Sequence, residues 1–163
     1  MDTLKLSELI GQEIVELRFH YVPRNEYDLQ SFHSYIKLSN DTIIDIPHFD
    51  DEEYLQLTQE NLSYFKKNFD TGNSVTDKVK SYFVGQKIVD FYFSYYKDEI
   101  DFDYSAYIKL SNGFYLTERN SGPIGLTDID LNILDEKEFS NEVKRLSSIE
   151  VDIRSFIMTK NAC

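Results

Sequence analysis

The sequence predicts an α+β domain: antiparallel sheets with helices packed on one side, built from an α-β-β-β-(β)-α unit used twice. Three observations carry this. Two segments recur at nearly constant spacing, apolar residues alternate with period two through the recurring stretches, and the helical stripes fall at the ends of the strand groups. Gly11-Gln12-Glu13-Ile14-Val15-Glu16 returns as Gly85-Gln86-Lys87-Ile88-Val89-Asp90. Ser34-Tyr35-Ile36-Lys37-Leu38-Ser39-Asn40 returns as Ala106-Tyr107-Ile108-Lys109-Leu110-Ser111-Asn112, at almost the same displacement along the chain. Such spacing points to an internal duplication and divides the 163 residues into repeats at 1–72 and 73–163 of one domain. Each repeat is marginal alone, whereas the whole chain is long enough to bury roughly 70% of the surface its unfolded form exposes.

Taken in chain order, Leu4, Leu6, Leu9 and Ile10 give a short helix candidate. Val15, Leu17, Phe19 and Tyr21 then alternate with Glu16, Arg18 and His20 as a half-buried strand. A second strand runs through Ile36-Lys37-Leu38, with a turn at Asn40-Asp41 and a third strand at 42–46. Residues 51–58 fit a fourth strand through Leu55-Gln56-Leu57 or a helical stripe of Leu55, Thr58 and Leu62. Leu62, Phe65 and Phe69, with Glu60 early and Lys66-Lys67 late, predict a helix matched to its dipole. The second repeat follows suit. Ser74 or Thr76 caps a turn carrying Val79, Tyr82 and Phe83, and Val89, Phe91, Phe93 and Tyr95 give the first strand face. Ile108-Lys109-Leu110 gives the second strand, Asn112-Gly113 a type I′ hairpin turn, and 114–118 the third strand. Leu131-Asn132-Ile133 precedes a helix with Phe139, Val143 and Leu146 behind Asp135-Glu136, and the alternation of Ile149, Val151 and Ile153 adds an edge strand.

Composition narrows function more by exclusion than by assignment. The formal charge is −12, so nucleic acid and anionic membrane surfaces are poor partners, while a basic protein is a good one. Six acids and no Lys or Arg lie between Asp41 and Glu53, four acids lie between Asp98 and Asp103, and Asp128, Asp130, Asp135, Glu136 and Glu138 form a third cluster. Aromatics are 12 Tyr and 12 Phe, enough to fill a core and still cover a surface. The single cysteine, Cys163, has no intrachain partner. Met1-Asp2-Thr3-Leu4-Lys5 lacks the basic stretch and apolar core of a signal peptide, and no apolar run approaches a membrane span. The expected compartment is the cytoplasm.

No constellation of catalytic residues emerges. Gly122-Pro123-Ile124-Gly125 lacks the spacing and lysine of a phosphate loop. Asp128, Asp130 and Asn132 begin like a calcium loop, but Ile133 and Phe139 stand where Gly and Glu are needed, so strand edge plus helix cap is the better reading. His20 and His33 fall on outward faces of adjacent strands and can approach each other, with Glu16 near. Their counterparts are Ser94 and Ser105, and spacing fixes no third ligand. His48 reads as a loop residue, and no serine sits in a nucleophile elbow. The expectation is a chain with no catalytic residue, metal or cofactor.

Surface remains. The segment Tyr95-Tyr96-Lys97-Asp98-Glu99-Ile100-Asp101-Phe102-Asp103-Tyr104 interleaves acids with aromatics between the first two strands of the second repeat. Its counterpart, Val22-Pro23-Arg24-Asn25-Glu26-Tyr27-Asp28, carries one aromatic, a proline and an arginine. The expected contact surface is therefore Tyr96, Asp98, Glu99, Asp101, Phe102, Asp103 and Tyr104: rings supply contact area and acids speed encounter with a basic partner. In its small, acidic, β-rich and duplicated profile, in 122–131 and in the Tyr-Ile-Lys-Leu-Ser-Asn strand, the chain resembles the immunity proteins that bacteria make against their own polymorphic or contact-dependent toxins. That resemblance implies a stoichiometric inhibitor of a cognate toxin domain, most plausibly a basic nuclease. Two other readings stand beside it: a self-associating scaffold or adaptor forming a homodimer, and a small-ligand or enzymatic module with a cleft between the repeats.

Overall fold

The computed structural model describes residues 3–23, 30–45, 56–101, 104, 106–118 and 131–161. Strand β1 (Thr3–Lys5) leads into a 3-10 turn, Leu6–Leu9, that buries Leu6 and Leu9. The first helix candidate is thus a strand followed by a single tight turn. Strands β2 (Ile14–Pro23), β3 (Gln30–Leu38) and β4 (Ile43–Asp45) follow, then β5 (Gln56–Thr58), α1 (Gln59–Asp70), β6 (Asn73–Ser74) and α2 (Asp77–Lys80). The second half contains β7 (Ile88–Tyr96), β8 (Glu99–Ile100), β9 (Tyr107–Leu110), β10 (Tyr115–Glu118), β11 (Leu131–Leu134), α3 (Glu136–Ser147), β12 (Val151–Ser155) and α4 (Phe156–Asn161). The class is α+β. The described residues form three antiparallel sheets: β4-β3-β2-β6, β11-β10-β9-β7-β12 with β8 also on β7, and the pair β1-β5. Residues 56–58 settle as strand because they pair back on β1, Thr3 opposite Thr58, while 51–55 lie outside the described residues.

Both long helices start where a capping box is available. The Thr58 hydroxyl accepts from the Asn61 N–H at 3.1 Å, and the Asp135 carboxylate from the Glu138 N–H at 2.8 Å. From α1, Phe65 and Phe69 are buried, and from α3, Phe139 and Leu146. These are the apolar positions the helical period selects.

Two local expectations change. The turns after Leu38 and Leu110 are not type I′, since only Asp41 and Gly113 have positive φ, 68° and 90°. The hydrogen bonds Asp41 N–H to Leu38 O and Leu38 N–H to Thr42 O, repeated as Gly113 to Leu110 and Leu110 to Phe114, define a three-residue loop with one left-handed residue. Asn40 and Asn112 accept instead with their side chains, from the N–H groups of Thr42 and Phe114 at 3.1 Å each. The strand faces also shift. A register break between Ile14 and Glu16 leaves Val15 43% exposed while Ile14 and Leu17 are buried. The matching break between Ile88 and Asp90 turns Asp90 inward and leaves Val89 half-buried.

Corresponding residues of the two halves meet. Gly11 donates to Ile88 O at 2.7 Å and Gly85 to Ile14 O at 2.9 Å; Ile14 donates to Gln86 O and Ile88 to Gln12 O, both at 2.9 Å. Glu13 and Lys87 face each other in an antiparallel bridge at the centre. On either side Ser39 and Ser111 close the same ring of bonds, each donating its hydroxyl to Gln12 or Gln86 and its N–H to the carbonyl of Glu13 or Lys87. Ile36 and Ile108 are both fully buried in the strand beside their bulged partner.

The sheet containing β7 is covered on both faces. Phe91, Phe93, Ile108 and Leu116 enter the main core, where Phe156 at the start of α4 meets Phe91 and Phe93 edge-on. On the opposite face Tyr92, Tyr107 and Tyr115 surround Phe139 of α3. Helices on one side, as expected from sequence, is therefore corrected for this sheet: α4 takes the second face. It is fastened by Asp90, whose carboxylate accepts from the Ser155 hydroxyl and from the Ile157 N–H at 3.2 Å, while Ser155 accepts from Met158 N–H.

Candidate functional site

The expected contact surface lies at the end of β7, and its geometry is a tight hairpin rather than a long loop. Tyr96 pairs with Glu99 and Tyr95 with Ile100, leaving Lys97 and Asp98 as a two-residue connection. Both have positive φ, 51° and 64°, as a type I′ turn demands. Polar residues fill this turn because the chain on either side is aromatic or apolar, and Asp is among the residues that tolerate the left-handed region. Ile100 packs against the main core and holds the returning strand down. Asp101 then donates its N–H to Ser94 O at 2.9 Å, and Tyr104 donates to Asp101 O at 3.2 Å.

Strand β12 supplies the other wall. At the end of α3, Ile149 donates to Leu146 O, Glu150 donates to Ser147 O with φ 66°, and the chain reverses into Val151 opposite Tyr96. One step past that pair, both chains turn away. Acids from two segments therefore share one end of the sheet: Asp98, Glu99 and Asp101 from the hairpin, Glu150 and Asp152 from β12 and its approach. Two large apolar side chains stand exposed there, Tyr96 at 37% and Ile149 at 50%.

Arg154 organises this end. Its guanidinium lies 2.8 Å from Asp98, 3.4 Å from Asp152 and 4.7 Å from the centre of the Tyr95 ring. The hydrogen bond to Asp98 raises its pKa above the ordinary arginine value. Lys97 lies over the Tyr96 ring at 5.3 Å. Asp98 sits in the turn and is ion-paired, and each cation also covers a tyrosine face. Glu99 is exposed, Asp101 and Tyr104 are half-buried, and Phe102 and Asp103 lie outside the described residues.

Sequence reasoning missed Arg154, Asp152, Glu150 and Ile149. Alternation through 149, 151 and 153 places Asp152 and Arg154 on the other face of an edge strand, which was the available signal. Which strand that edge joins, and so the distant Asp98 partner of Arg154, is a tertiary fact.

Elsewhere little reactive chemistry is assembled. His20 is opposite His33 in the β2–β3 register, as the facing of those strands suggested. Among the described residues no three His, Cys, Asp or Glu form a group able to hold a metal. Asp90, a buried carboxylate of the second half, spends its acceptors on Ser155, Ile157 and the adjacent Phe91 N–H. Asp128 and Asp130 lie outside the described residues, while Leu131 begins an outer strand of its sheet and Asp135 caps α3, in line with the strand-edge and cap reading. Among the described residues no helix is long and apolar enough to cross a membrane. No protein-family model, curated protein or solved structure matches the chain.

Proposed function

We propose that this chain is a stoichiometric protein-binding inhibitor of the immunity-protein kind, covering a basic region of a toxin domain of the nuclease type, without catalysis of its own. The observation that carries the reading is the end of the β7 sheet, where carboxylates from two chain segments surround exposed Tyr96 and Ile149. Apolar anchors inside a charged rim are the anatomy of a protein interface. The charge of −12 adds long-range attraction for a basic partner and repulsion of nucleic acid and of anionic lipid. A cytoplasmic site of action fits this role.

The two rivals have less in their favour. Self-association through the β12 edge of its sheet is opposed by Asp152 and Arg154, charges of the kind that keep sheet edges from pairing. A ligand cleft between the halves competes with the main-chain bonds that join Gly11–Ile14 to Gly85–Ile88.

The test is capture of the partner on tagged full-length protein from its native cells, followed by binding kinetics with the purified partner. Replacing Asp98, Asp101 and Asp103 together by Asn is expected to weaken binding at least 100-fold if the acids are desolvated opposite Arg or Lys. The same changes at Asp50, Asp51 and Glu52 (to Asn, Asn and Gln) are the control. Loss of binding in the control set alone moves the interface to the first half, and an acidic captured partner refutes the charge argument.

A further inference from the structure

Among the described residues, the two halves differ at a place where the first leaves a groove and the second holds a ring. A groove of about 270 Å³ lies between the β3–β4 turn and the first half of α1, lined by Asn40, Asp41, Thr42, Ile43, Gln59, Leu62, Ser63 and Lys66. Ile43 is opposite Lys37 in the ladder, and in the second half the residue opposite Lys109 is Tyr115. Leu62 is four residues beyond the cap Thr58; four beyond the cap Asp135 comes Phe139. Gln59 follows its cap directly, as Glu136 follows Asp135. At these corresponding positions the second half holds a ring: Tyr115 stacks on Phe139 with centroids 3.8 Å apart and planes within 4°. Its hydroxyl donates to Glu136 at 2.8 Å, and Lys109 lies 5.5 Å from its centroid.

We propose that the groove of the first half is a binding site for a phenolic ring brought from outside the chain. Ile43 and Leu62 are smaller than Tyr115 and Phe139 and place no ring of their own at these two positions. The partners a phenol needs keep their places. Leu62 provides the apolar wall where Phe139 stacks. Gln59 places a carboxamide, a group with both acceptor and donor, at the position from which Glu136 accepts from the Tyr115 hydroxyl. Lys37 holds the register position from which Lys109 faces the ring. Asn40, Asp41, Thr42 and Ser63 make a polar rim, so the site favours a ring with a hydroxyl over a bare hydrocarbon. Its volume, near the lower end for ligand pockets, suits a single ring rather than a cofactor. The ring can arrive as a free phenol or as a tyrosine side chain. This site is on the opposite half from the acidic hairpin and stands or falls separately from it.

Titration of the ¹⁵N-labelled full chain, followed by amide chemical shifts, tests this with p-cresol and N-acetyltyrosinamide as the two sources and toluene as the ring without a hydroxyl. Saturable shifts confined to 40–43 and 59–66 are expected, with a dissociation constant on the order of 1 mM for so small a ligand, and toluene binding several-fold more weakly. Tighter binding of N-acetyltyrosinamide than of p-cresol assigns the ring to a tyrosine; the reverse assigns it to a free phenol. The double variant Ile43→Tyr with Leu62→Phe installs the second half's own plug and is expected to abolish the shifts. Gln59→Ala, on the exposed first turn of α1, is expected to erase the preference for phenol over toluene even if the double variant does not fold. Absence of saturable shifts up to roughly 20 mM ligand, shifts centred away from the groove, or undiminished binding by a folded double variant overturns the proposal.

Discussion

At the scale of single residues, Tyr115 is expected to contribute to how the protein responds to alkali. Its pKa is raised well above the ordinary 10.0, first by burial and then by the hydrogen bond to Glu136. The neighbouring Tyr92 is raised too, again chiefly by burial, with Asp90 and Glu136 adding to it. A phenol that ionises less readily folded than unfolded contributes stability that is complete below the unfolded pKa and is lost as pH climbs toward the folded one. Denaturant midpoints are therefore expected to be level on approaching pH ~10 and to fall above it, and Tyr115→Phe should flatten part of that fall. A slope unchanged in the variant assigns the alkaline loss to other groups. Lys97 and Asp98 make a second case. The left-handed region costs a residue such as Lys97 about 1 kcal/mol and costs Asn, Asp and Gly less, whereas the Asp98–Arg154 pair is exposed and contributes under about 1 kcal/mol. The double substitution Lys97→Asn with Asp98→Gly is thus expected to raise stability by about 1 kcal/mol in urea titration while weakening the hold on the partner. Stability gained with no loss of binding would show that the tip plays no part in the contact.

Among the elements, the long helices were the most legible, and for a physical reason. Their apolar period and their caps are local properties, so Phe65, Phe69, Phe139 and Leu146 and the start at Asp135 could be read directly. Caps give a matched pair of expectations. Thr58→Ala should cost about 1 kcal/mol, and Asp135→Ala up to about 1 kcal/mol more, because its charge also meets the helix dipole. The check is a shift in denaturant midpoint at constant slope; equal costs would remove the dipole argument. Strand faces were less legible. One inserted residue at Val15 and another at Val89 reverse the parity of the strand before Leu17 and Phe91, and alternation carries no marker of a bulge. The hairpin at Lys97-Asp98 was hidden because the usual Asn-Gly pair is missing. The pairing of β5 with β1 and of β12 with β7 joins segments far apart along the chain, which propensity does not address.

For the whole molecule, the recurring segments pointed to the strand pairs β2–β3 and β7–β9, but not to how the two pairs would join. Around the candidate site, the place of the acidic segment between two paired strands was legible, since it joins β7 to β9, whereas Arg154 with its carboxylates became visible only once β12 was docked. Net charge acts at this scale too. Exposed charges are screened beyond about 8 Å at physiological salt, so association with a basic partner is expected to slow at least tenfold between low and high salt while dissociation changes little. A flat association rate in stopped-flow measurements would leave the charge a matter of solubility.

The reciprocal bonds between Gly11–Ile14 and Gly85–Ile88 bear finally on cooperativity. Neither half can open there without breaking the other half's bonds, since each segment is the other's donor and acceptor. Native-state hydrogen exchange reads this directly: the amides of Ile14 and Ile88, one in each half, should lose protection in a single shared event. Added denaturant should accelerate both in parallel.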